Sequence, residues 1–376
     1  MDKREFIEKL KTSRRVVIKI GSGVISSESG LDTETIENIA ENIVNIAKNR
    51  QVVIVSSGAV AGGLYVMGAK KRPTNIVHLQ AFASIGQPVL MRAYSESFKR
   101  FSKKVAQVLI TVDDIQNRRR FINAKNTLLT LLKWKIIPIV NENDTVVIKE
   151  LRFGDNDILS FHVSNLCEAD ALIILSNVDG VYSNDPSKNG ATLIEKFDES
   201  AQITAGKTSS LGSGGIETKI EACLKASKAG KLSCIINGKK RDAIKKLFKG
   251  ELDFTFFEPS IEHTQSKRSW IETCNPNGVV VIDDGAKESL LRNKSLLPSG
   301  IVKVFGGFSR GDIINIEDSE GNLVAKGITN YDSSEIERIK GHHSERIAEI
   351  LGYKYSNDVV HIDNMVVIGH KDEQIR

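Results

Sequence analysis

The feature that most constrains the fold is a short apolar run that ends in a lysine and a glycine turn, Val16-Val17-Ile18-Lys19-Ile20-Gly21-Ser22-Gly23. Consecutive apolar residues of this kind predict a strand that is covered on both faces, as in a parallel α/β sheet. A lysine at the end of such a strand is costly unless its ammonium group meets an anion or reaches water. Taken alone, Lys19 fits a ligand site and a solvated strand end equally well.

The pattern of strand, glycine turn and helix then repeats along the first two thirds of the chain. Buried strands are predicted at 16–20, 51–58, 105–111, 136–140, 171–175 and 232–236, with helices between them. A helix expected over 75–101 is interrupted near Gly86 and Pro88, because proline removes a backbone donor. Residues 145–153 alternate like a small hairpin, a helix is expected at 158–167, and 206–215 read as a glycine/serine loop. This order predicts an α/β fold with a doubly wound, mostly parallel sheet.

The pattern of predicted elements changes near residue 277. Residues 259–276 are polar, have prolines near both ends and show no periodicity, which indicates a linker. Short strands are then predicted at 279–282, 301–304, 313–317, 323–328 and 359–367, with one short helix at 283–291. We therefore expect a first domain over 1–258, a linker over 259–276 and a small, mostly β domain over 277–376.

Charge and composition exclude several classes of protein. The net charge is +5, but residues 277–376 contain 12 Lys and Arg against 16 Asp and Glu, so they carry −4 and residues 1–276 carry +9. An acidic second domain is a poor electrostatic match for nucleic acid. No apolar run is long enough for a membrane span, and the four cysteines lie far apart, as is typical of reduced thiols in a cytoplasmic protein.

Several polar segments are expected to meet at one edge of the sheet, where parallel strands end and ligands usually bind. Two lysines, glycine turns and a few acids suit a phosphate donor, because phosphoryl transfer needs charge neutralisation and alignment more than covalent help. The acids could align the lysines or hold Mg²⁺. Each segment alone also fits a plain turn, a helix cap or a surface lysine, and the shared edge favours a site. The segments are 19–23, 56–58, 141–144 with 154–157, and 212–215 with Lys219.

Two familiar nucleotide-binding motifs are incomplete. The turn after the first strand lacks the third glycine of a dinucleotide fingerprint, and no acidic residue ends the second strand. Gly206-Lys207-Thr208 resembles the end of a P-loop, but Ala201 stands where the first glycine is required.

The ordered set of motifs resembles the glutamate 5-kinase family, enzymes with an amino-acid-kinase fold and a C-terminal PUA domain. The resemblance covers nearly the whole chain and implies a three-layer sandwich followed by a PUA-like domain. Its segments in the first domain are 17–22, 55–59, 138–144, 153–160 and 211–219, and those in the second are 297–301, 308–312, 341–344 and 350–353.

The resemblance implies that ATP, with Mg²⁺, phosphorylates the side-chain carboxylate of L-glutamate in the first step of proline biosynthesis. It implies that Lys19 and Lys219 neutralise the transferring phosphoryl group and that Asp157 orients them. The family usually has aspartate where Asn177 stands, so this chain departs from the family pattern at one predicted nucleotide contact. No residue is assigned to a metal. The implied glutamate site is Ser57, Asp144, Asn156 and Asp155, and the implied ATP site is Lys19, Gly21, Ser176, Asn177, Ser213, Gly214, Gly215, Ile216, Glu217, Thr218 and Lys219.

The resemblance also implies proline as an inhibitor, a homodimer or homotetramer, and glutamyl-phosphate reductase as a candidate partner. Two alternatives stay open at this point. PUA modules occur in RNA-modifying proteins, and residues 239–241, 245–246 and 267–268 could form a basic patch, although the acidic second domain ranks RNA well below the kinase. Another acceptor, such as aspartate, acetylglutamate, carbamate or a nucleoside monophosphate, would keep the same fold.

Overall fold

The structure is a computed structural model in which residues 1–27, 30–69, 71–146, 156–184, 190–197, 215–259, 271 and 275–368 are described. The chain divides into two compact units, Met1–Ile261 and Glu262–Arg376. Most of the predicted linker, most of the predicted hairpin at 145–153 and nearly all of the loop at 206–215 lie outside the described residues. Within the described ranges, no helix has the length and apolar character that crossing a membrane requires.

A mostly parallel sheet forms the centre of the first unit, so the predicted fold class is confirmed. Among the described residues it has eight strands in the order β10-β12-β11-β7-β1-β4-β6-β5, and β11 and β12 are its antiparallel pair. Two short hairpins, β2–β3 and β8–β9, lie outside it. The strands are β1 (Arg15–Ile20), β2 (Ser26–Ser27), β3 (Gly30–Leu31), β4 (Gln51–Ser56), β5 (Val105–Ile110), β6 (Ile137–Glu142), β7 (Ala171–Ser176), β8 (Val181–Tyr182), β9 (Leu193–Ile194), β10 (Lys196–Phe197), β11 (Leu232–Asn237) and β12 (Thr255–Phe257).

Helices cover both faces of this sheet and make two separate cores. The helices are α1 (Lys3–Thr12), α2 (Ser22–Ile25), α3 (Thr33–Ile46), α4 (Ala59–Val66), α5 (Ile76–Lys99), α6 (Val112–Gln116), α7 (Arg118–Lys133), α8 (Asn156–Leu166), α9 (Ile216–Lys228) and α10 (Ala243–Lys249). One core joins alternate residues of the strands to α1, α3, α5 and α10, and the other joins the remaining strand residues to α7, α8 and α9. The three layers follow from the two-residue repeat of a strand.

The alternation of side chains along β1 determines which face of the sheet Lys19 lies on. Val16, Ile18 and Ile20 belong to the core under α3 and α5, whereas Val17 belongs to the core under α8 and α9. Because side chains alternate along a strand, Lys19 shares the face of Val17. Its ammonium group therefore lies on the side of the sheet that α8 and α9 cover.

The predicted interruption of the long helix is wrong, because α5 runs without a break through Pro88. Gly86 serves the close crossing of α4 and α5 instead. A Cβ atom added at Gly86 would lie 1.8 Å from the carbonyl oxygen of Ala59, and one added at Gly63 would lie 1.9 Å from that of Phe82. The helix continues past the proline because its next turns bury a large apolar face against the core.

Other boundaries also differ from the prediction. Helix α8 begins at Asn156 rather than at residue 158, so Asn156 and Asp157 lie in its first turn and not in the preceding loop. Helix α1 and the strand β12, which lies between β10 and β11, were not predicted. The short strand β12 pairs with β11 through Phe256 and Phe257, which lie in the two cores.

The second unit is built on a mixed sheet with the order β14-β13-β15-β16-β17. Its elements are β13 (Gly278–Ile282), α11 (Asp284–Leu291), β14 (Ile301–Phe305), β15 (Ile313–Glu317), β16 (Leu323–Ile328), α12 (Ser333–Ile339), α13 (Ile347–Leu351) and β17 (Met365–Val367), with 3₁₀ turns at Pro298–Gly300, Ser344–Arg346 and Ile362–Asn364. The small, mostly β architecture agrees with the prediction, but the strand expected at 359–367 is wrong. Val360 makes only an isolated bridge to Leu296, and a 3₁₀ turn precedes the short strand β17.

The helix crossing gives a stability prediction. Gly86→Ala should lower the free energy of unfolding by about 3 kcal/mol, because the added methyl group meets backbone rather than a movable side chain. Urea denaturation followed by circular dichroism measures the loss. Gly23→Ala is the control, since a Cβ at Gly23 would meet nothing within 4 Å. Equal stability of the two variants would show that α4 and α5 can separate without cost.

Candidate active site

One buried carboxylate holds two lysines that are 200 residues apart in the sequence. The Lys19 Nζ atom lies 2.5 Å from Oδ1 of Asp157, and the Lys219 Nζ atom lies 3.2 Å from Oδ2. The hydroxyl group of Thr218 donates to the same Oδ2 atom at 2.9 Å. The side chains of Asp157, Lys19 and Lys219 are 0%, 2% and 10% exposed, so bulk water solvates none of the three charges well. We call these three residues the charge cluster.

The charge cluster keeps its carboxylate ionised. Burial by itself pushes the pKa of Asp157 up, but the charges of Lys19 and Lys219, with hydrogen bonds from Lys19 and Thr218, outweigh burial and hold the pKa below its ordinary value. The first turn of α8 adds to this effect, because backbone N–H groups at a helix N-terminus favour a negative charge. The three groups together carry a net charge of +1, which suits an anionic ligand.

The local sequence explains why these groups meet. Lys19 is the last residue but one of β1, and Asp157 is the second residue of α8. Lys219 is the fourth residue of α9, and its ammonium group folds back to donate to the carbonyl oxygen of Gly215 at 3.2 Å. Gly21 lies close to the neighbouring strand, since a Cβ there would lie 3.3 Å from the carbonyl oxygen of Leu175. The cluster therefore lies where β1, α8 and α9 converge.

A network of amides and hydroxyls extends from the charge cluster toward β4 and β6. The Nδ2 atom of Asn156 lies within hydrogen-bond distance of three oxygens: Asn141 Oδ1 at 2.8 Å, the Ser56 carbonyl at 3.0 Å and Ser57 Oγ at 3.1 Å. Because Asn156 directly precedes Asp157 in α8, this amide network adjoins the charge cluster. It can position polar groups of a small ligand next to the lysines.

The amide network is anchored in the core by a tyrosine. The hydroxyl groups of Ser56 and Tyr94 lie 2.8 Å apart, and both side chains are fully buried. Burial raises the pKa of Tyr94, so this phenol stays neutral and can serve as a hydrogen-bonding anchor. The end of β4 is thereby fixed to α5.

A second polar group lies on the other side of the charge cluster, at the ends of β7 and β11. The carboxylate of Asp179 accepts a hydrogen bond from Asn237 Nδ2 at 3.1 Å and pairs with Lys240 at 2.6 Å. Burial pushes the pKa of Asp179 up, but Lys240 and Asn237 outweigh it, so the pKa lies below its ordinary value. On β7, the Ser176 hydroxyl donates to Asn177 Oδ1 at 3.4 Å.

The remaining predicted site residues are placed as follows. Asp144 lies in the turn after β6, and Gly215 caps α9. Within the first turn of α9, Glu217 is exposed and Ile216 is half-buried. Three predicted residues lie outside the described part of the chain, namely Asp155, Ser213 and Gly214.

The described residues do not by themselves form a Mg²⁺ site. Within them, no group of three His, Cys, Asp or Glu side chains is arranged to hold a metal ion. The carboxylate nearest the lysines, Asp157, is already held by both of them. Magnesium commonly keeps several waters and binds through substrate phosphates, so it fits this site only as part of a metal–nucleotide complex.

Comparison with known proteins identifies the family of the chain. Residues 14–237 match the model of the amino acid kinase family, and residues 278–351 match that of the PUA domain. A glutamate 5-kinase of Syntrophotalea carbinolica is 45% identical over 366 residues, covering 95% of this chain and 98% of the relative. Glutamate 5-kinases of Citrifermentans bemidjiense and Myxococcus xanthus are 45% and 38% identical, covering 96% of this chain in each case and 99% and 97% of the relatives.

The chain therefore belongs to the amino acid kinase family, and within it to the family of the glutamate 5-kinases. The expectation of a kinase with an amino-acid-kinase domain and a PUA domain is confirmed at this level.

Sequence reasoning missed part of the polar network. It included Asn141 in a polar run without a role, took Gln87 as part of a helix break, and gave no role to Tyr94 or Asp179. Lys240 was considered only as part of a candidate basic patch. A signal existed for two of them, since Gln87 and Tyr94 are seven residues apart and so lie on one face of a continuous helix. The contact of Asp179 with Lys240 had no signal, because it depends on which strands are neighbours.

The charge cluster gives a prediction on stability and pH. Asp157→Asn should lower the free energy of unfolding by about 3 kcal/mol at pH 7, because it leaves two buried ammonium groups without their carboxylate. The folded protein lowers the pKa of Asp157, so its contribution is present above the unfolded pKa of about 3.9 and is lost as the pH falls through the folded value. The difference between wild type and variant should therefore shrink below about pH 4.

The control is Asp253→Asn, whose side chain is 77% exposed although it contacts Lys3. Exposed ion pairs contribute about 1 kcal/mol or less, so this variant should stay close to wild type. Urea titrations at several pH values compare the three proteins. A stability difference for Asp157→Asn that does not change with pH would contradict the assigned ion pairs.

Proposed function

We propose that this protein transfers the γ-phosphoryl group of ATP to the side-chain carboxylate of L-glutamate, giving L-glutamyl 5-phosphate in the first step of proline biosynthesis. The observation that carries the proposal is the charge cluster, in which two buried ammonium groups share the carboxylate of Asp157. The family of the chain and the glutamate 5-kinases that it resembles support the choice of acceptor.

The proposed chemistry needs no general base. The attacking atom is an oxygen of the glutamate side chain, which is already ionised at neutral pH because its ordinary pKa is about 4.3. Lys19 and Lys219 then serve to neutralise the negative charge on the transferring phosphoryl group and to bring donor and acceptor into line. Asp157 holds the two ammonium groups in place, and its lowered pKa keeps it charged throughout.

The acceptor lies on the β4 and β6 side of the cluster in this proposal. Ser57 and Asn156 form one wall, and their hydrogen bonds to the amide network fix their positions. Asp144 and Asp155 provide the negative charge that an α-amino group requires. With Asp144 at the distal end, the side-chain carboxylate of glutamate is directed toward Lys19 and Lys219.

The donor lies on the side of α9 and β7. The N-terminus of α9 offers backbone N–H groups to phosphate oxygens, as helix N-termini commonly do. Mg²⁺ would enter bound to the ATP phosphates and would supply further charge neutralisation. The proposed ATP site is Lys19, Gly21, Ser176, Asn177, Ser213, Gly214, Gly215, Ile216, Glu217, Thr218 and Lys219.

Regulation and assembly complete the proposal. Proline would inhibit by competing with glutamate for the β4 and β6 side, since both have an α-amino and an α-carboxylate group. The protein would form a homodimer or homotetramer through its first unit, and glutamyl-phosphate reductase would consume its unstable acyl phosphate. Initial rates at several glutamate and proline concentrations test the competition.

A hydroxylamine assay tests the reaction itself. Incubation with ATP, Mg²⁺, hydroxylamine and a single acceptor converts an acyl phosphate to a hydroxamate, which forms a coloured complex when ferric iron is added. We expect product with L-glutamate and much less with aspartate, acetylglutamate or carbamate, while release of ADP shows whether any nucleoside monophosphate is used. Hydroxamate formation with another acceptor but not with glutamate would contradict the proposed substrate.

The role of Lys219 gives a separate prediction. Lys219→Met should lower kcat by about 100-fold or more, because a charge that acts on the transition state is lost, while the KM for glutamate changes little. Lys225→Met is a matched control on the same helix, since Lys225 pairs with the exposed Glu221. Unchanged turnover in Lys219→Met would remove the lysine from the mechanism. Thermal denaturation of both variants verifies that they are folded.

A further inference from the structure

Hydrogen bonding fixes the orientation of the amides that lead away from the charge cluster. The backbone N–H group of Glu142 donates to Asn141 Oδ1 at 2.9 Å, so the other end of the Asn141 side chain is its NH₂ group. This Nδ2 atom donates to Gln87 Oε1 at 2.9 Å. The free end of Gln87 is therefore its own NH₂ group, a hydrogen-bond donor. The direction of the whole row is set by one backbone N–H group.

The row ends in a buried N–H donor. The Nε2 atom of Gln87 is buried, and no hydrogen-bond partner exists for it among the described residues. Buried polar groups are nearly always paired in folded proteins, because the loss of water must be compensated. An unpaired amide at the end of an otherwise satisfied row indicates a group whose acceptor is a ligand.

Two further contacts place this side chain beside the acceptor side of the site. Gly86, its neighbour, lies against Ala59, which is two residues after Ser57. Ser84, three residues earlier and on the same face of α5, lies with its Oγ atom 3.1 Å from Thr145 Oγ1. Thr145 directly follows Asp144. The part of α5 around Gln87 thus contacts both segments to which the proposed function assigns glutamate.

We propose that Gln87 is a substrate-positioning residue and that its Nε2–H group donates to the α-carboxylate of the acceptor amino acid. This assignment rests on the proposed function. The row runs from Gln87 through Asn141 to Asn156, the residue before Asp157. Gln87 therefore lies at the end of the row away from the lysines, where the side-chain carboxylate of the acceptor reacts. The group of the acceptor that can reach Gln87 is its α-carboxylate. The same residue would thereby select acceptors that carry a carboxylate at their distal end.

Two substitutions separate a donor role from a supporting role. Gln87→Glu keeps an oxygen that can accept from Asn141, but it removes the donor and adds a charge that repels a carboxylate. Gln87→Met removes both the acceptor and the donor. We expect the KM for glutamate to rise about 10-fold in Gln87→Met, equivalent to about 1.4 kcal/mol, and further in Gln87→Glu, with the KM for ATP nearly unchanged.

The pH dependence of Gln87→Glu supplies a readout that a purely structural role would not change. A protonated carboxyl group can donate like the amide, whereas an ionised one cannot. The KM for glutamate in Gln87→Glu should therefore rise with pH relative to wild type. Gln107→Glu, on the exposed side of β5, adds the same charge elsewhere and should behave like wild type.

A second acceptor locates the contact on the substrate. The compound 4-aminobutyrate has the reacting carboxylate of glutamate but no α-carboxylate. The kcat/KM for glutamate should fall in Gln87→Met, whereas any activity with 4-aminobutyrate should not. An equal loss with both compounds would overturn the assignment to the α-carboxylate.

The outcomes distinguish this assignment from the proposed function. If wild type forms no hydroxamate with glutamate, the proposed function fails and the assignment of Gln87 fails with it. If wild type is active and Gln87→Glu matches it at every pH, only the assignment fails, and Gln87 merely supports Asn141. Melting temperatures of all variants complete the comparison, since a variant that melts below the assay temperature must be assayed at a lower one.

Discussion

The active end of the sheet depends on a single carboxylate that is buried between two ammonium groups. Isolated charges are strongly disfavoured in a protein interior, and the charges of Lys19, Asp157 and Lys219 compensate one another there. Because the three side chains come from β1, α8 and α9, their pairing fixes the relative positions of a strand and two helices. The fold and the site are therefore not separable at this point of the molecule.

The position of Asp157 at the start of α8 couples two kinds of chemistry. On one side it holds charges that can act on a phosphoryl group, and on the other its neighbour Asn156 begins a row of amides that ends in Gln87. Amides can recognise a carboxylate without adding net charge, so they do not disturb the balance of the charge cluster. A small rotation of α8 would move both the contacts of Asp157 with the lysines and those of Asn156 with the amides. The positions of phosphoryl donor and acceptor therefore depend on the same helix.

Sequence patterns predicted the elements that local periodicity determines, chiefly the strands. The apolar runs identified the strands of the parallel sheet, and the rule that such strands end at one edge brought Lys19, Asp157 and Lys219 to one place. Periodicity did not determine what depends on packing between elements. The break expected at Pro88 was wrong because the contact of Gly86 with Ala59 and the buried face of α5 outweigh one lost hydrogen bond. The second unit shows the same limit at 359–367, where the apolar residues form a bridge and a short strand instead of one strand.

Because α5 is continuous, the residues at its centre are helical and not part of a loop. In an interrupted helix, Gln87 would be a loop residue whose amide could turn toward water and need no explanation. In a continuous helix its direction is set by the backbone, and the contact with Asn141 directs its NH₂ group into a buried position. A donor held in this way lowers the stability of the protein alone and favours a ligand that brings an oxygen. The same packing that contradicts the sequence-based expectation of a helix break thus creates the strongest indication of how an amino acid is held.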